Sequence, residues 1–237
     1  MTIFARFCAH SGLRALSPIV MILLIGLSAP APASAQAGGG TSSVDALEVL
    51  EGAATRFAGL EGFCAHFDQH VQNDLLRQSF RSHGELCQAR PDRFAMHFAE
   101  PEGDRVIADG RDIWIYFPST DPGQAFRSRA SAVEGRFDLH REFLSDPGER
   151  YDPSFEGTET VGGQESYRLA LEPLQPSPYL RARIWVGVGD SLIHRLEITE
   201  DDGLVRTLDL SEMRLNPRIP EGTFEFDLPE GVQVIVR

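Results

Sequence analysis

Three histidines close together in the sequence are the first candidates for chemistry. His66 and His70 lie in an alternating stretch, so in a strand they would share a face. If the chain then turns back, His83 would come near them, and such a trio could bind zinc or copper. No acidic or cysteine partner accompanies them at ligand spacing, and the exposed polar face of a hairpin is the better interpretation. We therefore predict no metal site.

Two cysteines fall in the same region. If residues 63–71 and 81–89 form a hairpin that turns near 74–77, Cys64 and Cys87 lie opposite each other. A cross-strand pair is close enough for a bond between the sulfurs. A redox-active pair is the alternative, but the C-x-x-C spacing is missing. We predict that Cys64 and Cys87 form a disulfide.

The motifs of common catalytic sites are missing from the sequence. It contains no G-x-S-x-G, no H-E-x-x-H, no phosphate-binding loop and no glycine fingerprint before a helix. Every basic residue is arginine, which excludes a lysine nucleophile or Schiff base. Acidic pairs such as Asp201 and Asp202 fall in turns, where turn propensity explains them. We predict that the protein is not an enzyme and needs no cofactor.

The first 35 residues have the three parts of a secretory signal peptide. Arg6 and Arg14 precede the apolar run 18–27, which is too short to span a bilayer, and Ala33-Ser34-Ala35 offers a small-residue cleavage site. We expect cleavage after Ala35, a flexible lead-in over 36–43 and a single domain over 44–237. The leader holds two of the 22 basic residues and none of the 35 acidic ones, so the mature charge is 20 − 35 = −15. Such a surface repels nucleic acid.

The elements that must position these residues begin with one helix. Apolar residues recur at spacings of three and four and predict a helix over 44–59 with one apolar face: Leu47, Leu50, Ala54, Phe57 and Leu60. Ser42, followed three residues later by Asp45, resembles a capping box.

After the helix the apolar period falls to two. This period predicts short strands, separated by good turns, at 63–71, 81–88, 92–98, 104–110, 112–117, 166–173, 181–188, 191–200, 204–213 and 224–236. The alternation fades over 118–151, and the spacing within 136–146 predicts a helical insert laid across the sheet. The chain is therefore a mostly β, antiparallel domain.

Large apolar residues are numerous on the predicted strands. Phe94, Met96 and Phe98 alternate with smaller residues and would all point to one side. The residues alone leave two interpretations of this apolar face. The apolar face fills an ordinary core beneath the helices, or it exceeds what the helices cover and lines a cavity for an apolar ligand.

The order of several short motifs resembles the LolA family of periplasmic outer-membrane lipoprotein carriers. They are F-x-x-x-F-x-Q over 63–69, G-E-L-x-x-x-R-P-x-x-F over 84–94, IADGRDIWIYFP over 107–118 and F-E-F-x-x-P-x-G-V-x-V over 224–234. The resemblance implies an unclosed antiparallel β-barrel, or half-barrel, with an N-terminal helix and a helical lid over the concave face. The Cys64–Cys87 pair and the stretch 118–135 depart from the family pattern.

The resemblance also implies a function and a set of site residues. A monomeric carrier in the periplasm would take acylated lipoproteins from an inner-membrane ABC transporter of the LolCDE type and give them to a LolB-type receptor. Arg90 falls on the family arginine that closes the lid by hydrogen bonds to lid backbone. The predicted cavity residues are Phe63, Phe67, Phe94, Met96, Phe98, Trp114, Tyr116, Phe143 and Leu144. A lipid- or protein-binding sensor module of the same fold is the alternative.

Overall fold

We describe residues 44–130, 140–220 and 222–236 in a computed structural model of the chain. The predicted signal peptide 1–35, the lead-in 36–43 with Ser42 of the predicted capping box, and residues 136–139 of the predicted insert lie outside the described residues.

One long helix precedes the strands, close to its predicted position. Helix α1 spans Ala46–Ala58, and the carboxylate of Asp45 caps it by accepting hydrogen bonds from the backbone N–H groups of Leu47 at 2.9 Å and Glu48 at 3.2 Å. Its buried residues recur at spacings of three and four: Ala46, Leu50, Ala53 and Phe57. None of the described helices is long and apolar enough to cross a membrane.

The described residues that follow α1 are dominated by a single sheet of twelve strands. The strands are β1 Gly62–Asn73, β2 Gln78–Ala89, β3 Arg93–Glu100, β4 Arg105–Asp109, β5 Asp112–Tyr116, β6 Gln124–Arg129, β7 Tyr151–Val161, β8 Gln164–Pro173, β9 Arg181–Gly187, β10 Ile193–Thr199, β11 Leu204–Leu215 and β12 Gln233–Val236.

The order across the sheet is β12-β6-β5-β4-β3-β2-β1-β11-β10-β9-β8-β7, so β12 and β7 are its two edges and the sheet does not close. Neighbours are antiparallel except β12 and β6, which are parallel. The predicted fold class, an unclosed antiparallel β-barrel, is confirmed.

Three strand predictions differ from the structure. Strands β6 and β7 were not predicted, and the predicted strand 224–236 shrinks to Gln233–Val236. β7 carries Pro153 and a bulge near Gly157, which has a φ of +138°. Both features weaken a strand pattern, yet an edge strand tolerates them because one side of its backbone needs no partner.

The predicted helical insert is represented by two short pieces. A π-helical turn covers His140–Leu144, and α2 is a single turn over Pro147–Arg150. α1 contacts both the π-helical turn and α2, and α1 and α2 also contact β7, so the three pieces form one cover over one face of the sheet, which we call the inner face.

The opposite, outer face carries a second and smaller apolar cluster. Cys64 and Cys87 are direct cross-strand partners there and are joined by a disulfide. Ala95, Ile107 and Phe224 pack with them. Phe224 belongs to the segment that leads to β12, so the C-terminal part of the chain shields this patch of the outer face.

Candidate functional site

The inner face is lined by large apolar side chains of neighbouring strands. Residues 63, 65 and 67 of β1 face inward because alternate residues of a strand share a side, and β3 adds three more. Phe67 is 1% exposed, and the remaining aromatic and methionine members are buried or half-buried: Phe63, Phe94, Met96 and Phe98. Phe67 and Phe98 contact edge to face, with ring centroids 5.1 Å apart.

The cover fills the inner face with its own apolar residues. Leu50 and Ala53 of α1 are fully buried, and the ring of Phe57 lies edge-on to Phe63 at 5.5 Å. Phe143 and Leu144 of the π-helical turn are buried in the same cluster. The structure therefore brings together seven of the nine predicted cavity residues, and it does so in a closed state in which protein side chains occupy the apolar space.

Arg90 lies between β2 and β3 and holds the C-terminal end of α1. Its guanidinium donates from Nε to the carbonyl oxygen of Leu60 at 2.8 Å and from Nη2 to that of Phe57 at 3.2 Å. A cation suits this place because the last carbonyls of a helix lack partners within the helix and carry a partial negative charge. We call this pair of hydrogen bonds the latch. Among the described residues its partners lie in the last turn of α1 and just after it, and not in the π-helical turn.

A second set of hydrogen bonds holds the π-helical turn and was missed by sequence reasoning. Tyr179 donates to the Glu142 carboxylate at 2.6 Å, Tyr151 donates to the Glu142 carbonyl oxygen at 2.6 Å, and the two hydroxyls lie 2.7 Å apart. The ring of Phe143 packs against both tyrosines. No local pattern signals this group, because its members come from three separate segments.

The electrostatics of this group keep both tyrosines protonated. Burial is the largest cause that raises the pKa of Tyr151 and of Tyr179 above the ordinary 10.0, and the Glu142 carboxylate raises both further. The resulting stabilisation is fully present below pH 10 and is lost only as the pH rises beyond that value, where the unfolded chain would ionise first.

The two contacts hold opposite ends of the cover. Arg90 lies beside the first residue of β1. Tyr151 is the first residue of β7. Each strand from β1 through β11, β10, β9 and β8 to β7 is antiparallel to the one before it, so Tyr151 lies at the end of the sheet where β1 finishes. Opening the cover at one end therefore leaves the other contact in place.

Replacing Tyr179 with phenylalanine is expected to lower the free energy of unfolding by about 1–3 kcal/mol, because a nearly buried carboxylate loses a donor. Tyr167→Phe is the matched control, since no hydrogen bond joins the Tyr167 hydroxyl to another described residue. Urea unfolding followed by circular dichroism measures both. Equal losses in the two variants would show that the Glu142 contact does not stabilise the cover.

Two predicted cavity residues lie elsewhere. Trp114 and Tyr116 point to the outer face, where Trp114 stacks on Phe226 with ring centroids 4.9 Å apart. Strand alternation gives the inner positions of β5 to Ile113 and Ile115 instead. The prediction that Trp114 and Tyr116 line the inner face is wrong, because the C-terminal segment provides an apolar partner on the outer side.

The histidines do not converge. His66 pairs with Glu212 at 3.6 Å, His70 with Ser79 at 2.7 Å, and His83 with Glu100 at 3.9 Å. Within the part of the chain that the structure describes, no three histidine, cysteine, aspartate or glutamate residues are grouped so that they could hold a metal ion.

A cavity of about 550 Å³ opens beside the start of β1, away from the inner face. Glu61, Arg93 and Asp109 contribute to its lining together with Pro217 and Phe224. Charged groups around so open a cavity do not suit an acyl chain, since their desolvation would oppose binding.

An unclosed β-barrel with an apolar inner face under a hydrogen-bonded helical cover is the architecture of a class of binding proteins. The chain matches the family model described as outer membrane lipoprotein carrier protein LolA over residues 58–227, and it belongs to that family.

Among its relatives is the outer-membrane lipoprotein carrier protein of Halorhodospira halophila, 32% identical over 169 residues, which are 71% of this chain and 76% of the relative. The protein of the same description from Alkalilimnicola ehrlichii is 27% identical over 200 residues, 81% of this chain and 89% of the relative. An uncharacterized conserved protein from Thermus thermophilus shares the fold, with a TM-score of 0.52 at 14% identity, covering 81% of this chain and 99% of the other.

Proposed function

We propose that this protein is a periplasmic carrier that binds the acyl chains of lipoproteins released from the inner membrane and delivers them to the outer membrane. The observation that carries this proposal is the latch. Two hydrogen bonds from one arginine hold the C-terminal end of α1 over a largely apolar sheet face, so that end of the cover can open without unfolding the sheet.

The proposed cargo site is the inner face itself. Acyl chains would take the place of α1 side chains such as Leu50 and Phe57. They would lie against the strand residues Phe63, Phe67, Phe94, Met96 and Phe98. Phe143 and Leu144, held in place by the Glu142 contact, would line the other end of the site. Methionine suits such a site because its flexible side chain adapts to chains of different shape.

The free energies involved support the replacement of α1 side chains by acyl chains. A hydrogen bond from a charged donor contributes about 1.5–3 kcal/mol, and each methylene removed from water contributes about 0.8 kcal/mol. Burial of roughly four to eight methylenes beyond those of the displaced side chains therefore offsets both bonds of the latch. Cargo binding and cover closure then compete, and neither state is so stable that the carrier stops working.

The partners follow from this role. A donor complex of the LolCDE type in the inner membrane would load the carrier, and a LolB-type receptor would accept the cargo at the outer membrane. The carrier works as a monomer, and it binds and releases without covalent chemistry, so no cofactor takes part.

Native mass spectrometry of the protein purified from the periplasm tests the function. A co-expressed lipoprotein with its acylated cysteine is expected to form a one-to-one complex, whereas the same lipoprotein with that cysteine changed to serine is not, because it lacks the acyl chains whose burial on the inner face would drive binding. A complex with both forms, or with neither, would contradict the proposal.

A further inference from the structure

The end of the β1–β2 hairpin carries an unusual group of exposed apolar side chains. Leu75 is 80% exposed, Leu76 64% and Phe80 63%. Water-exposed apolar groups cost free energy, and a group of three at one tip marks a contact surface. We call Leu75, Leu76 and Phe80 the hairpin tip.

The hairpin tip is held in position. The buried Asn73 accepts a hydrogen bond from the Leu76 N–H at 3.1 Å and donates to the carbonyl oxygen of Asp202 at 3.2 Å, which ties the turn to its neighbour between β10 and β11. Arg77 has a φ of +52°, a left-handed conformation that reverses the chain within this short turn. These contacts keep both leucines directed outward, so their exposure belongs to the folded state.

The hairpin tip continues the inner face. Phe67, Gln69 and Val71 alternate along one side of β1, and Phe80 is the cross-strand partner of Val71. One polar pair, Gln69 with Ser82 at 3.0 Å, lies between Phe80 and the buried Phe67. Apart from that pair, the apolar side of the hairpin continues from the proposed cargo site to its exposed end.

Other apolar residues are exposed at the same end of the sheet. Leu174 is 51% exposed and Leu180 is 61% exposed, and both lie in the connection between β8 and β9. The backbone N–H of Leu180 donates to the carbonyl oxygen of Thr199, and Thr199 pairs with Val205 of β11. The neighbouring residue of β11 pairs with Asn73, the last residue of β1, so Leu180 lies at the same end of the sheet as the hairpin tip. The exposed apolar side chains thus lie on two different loops at one end of the sheet. A lipid bilayer can contact both loops at once more readily than a single pocket of a partner protein can.

Charges of both signs surround the hairpin tip. Arg77 and Arg81 are exposed, and neither pairs with a carboxylate among the described residues. Asp74, Asp201 and Asp202 are exposed acids of the same two turns. Phosphate and ammonium groups of a zwitterionic phospholipid complement such a mixture, whereas an anionic surface would repel a chain of formal charge −13. Arginine can also keep its charge at phosphate level while its stem lies in the apolar layer.

We propose that the hairpin tip inserts Leu75 and Leu76 into the surface of a zwitterionic phospholipid bilayer, so that the inner face opens next to the membrane. This inference rests on the proposed carrier function and adds a direct lipid contact to it. Two leucines at the apex of a turn offer much less area than the roughly 800 Å² per partner of a stable protein interface. A shallow and reversible membrane contact is what their geometry supports.

The test is flotation of the mature protein with vesicles of phosphatidylcholine and phosphatidylethanolamine. The unmodified protein is expected to float with the vesicles, and the Leu75→Ser, Leu76→Ser double variant to partition at least about tenfold more weakly. Replacing half of the lipid by phosphatidylglycerol should weaken the binding of the unmodified protein.

Val188→Ser with Leu228→Ser is the matched control. These residues are 40% and 44% exposed and lie outside the hairpin tip, so this variant should float normally. Equal flotation of the tip variant and the unmodified protein, or no flotation of either, would overturn the inference. Dimerisation of the unmodified protein that the tip variant abolishes would also overturn it, in favour of contact with a second copy. Binding of acylated lipoprotein by the tip variant in solution, without vesicles, is measured as well. If that binding is normal, the carrier function stands even where the membrane contact fails.

Discussion

An Arg90→Leu variant is expected to bind acylated lipoprotein normally and to release it at least about tenfold more slowly. In the proposed cycle the latch stabilises only the closed, cargo-free state, through hydrogen bonds from the guanidinium to Phe57 and Leu60. Leucine cannot donate, so the closed state loses at least about 1.5 kcal/mol while the loaded state does not. The measurement is the rate at which preloaded carrier transfers lipoprotein to acceptor membranes.

Arg93→Leu provides the matched control for that experiment. Arg93 carries the same charge three residues away, but its guanidinium lies over the ring of Phe224 on the other side of the sheet, 5.1 Å from the centroid. Its loss changes the net charge equally and leaves α1 held, so transfer should stay near the normal rate. Normal transfer by Arg90→Leu would refute the latch.

Phe67→Ala should cost about 3–5 kcal/mol of unfolding free energy, the largest stability effect that we expect in this protein. Phe67 is 1% exposed, packs on Phe98 and lies in the middle of the inner face. Alanine leaves a cavity that the surrounding strands cannot fill, because hydrogen bonds fix their spacing. Such a loss is a large share of the roughly 5–15 kcal/mol that keeps a domain folded. The midpoint of urea unfolding reports the change.

Phe80→Ala is the natural comparison, because the same residue type is removed from the same hairpin at a site that is 63% exposed. Exposed side chains contribute little, so this variant should unfold within about 0.5 kcal/mol of the unmodified protein. If both variants lost equal stability, the inner face would not be the packed side of the hairpin, and the assignment of the cargo site would fail with it.

The inner-face residues show both the reach and the limit of sequence patterns. Period-two spacing correctly grouped Phe63 with Phe67 and Phe94 with Met96, because alternation in a strand is local geometry. The same rule correctly paired Trp114 with Tyr116, yet it could not say which side of β5 would belong to the inner face. The Phe224–Phe226 segment supplies a second apolar surface on the outer side, and no local pattern reveals where a segment a hundred residues later will pack.

The sequence by itself determined the class of fold, the extent of α1 to within about two residues, the hairpin of β1 and β2 and the place of Arg90 beside it. These features depend on short-range periodicity and turn chemistry. Only the tertiary structure decided that Arg90 bonds to the end of α1, that Glu142 meets Tyr151 and Tyr179, and that Leu75 and Leu76 stay exposed. The physical reason is that these contacts join groups far apart in the chain, and their partners are set by the order of the strands across the sheet.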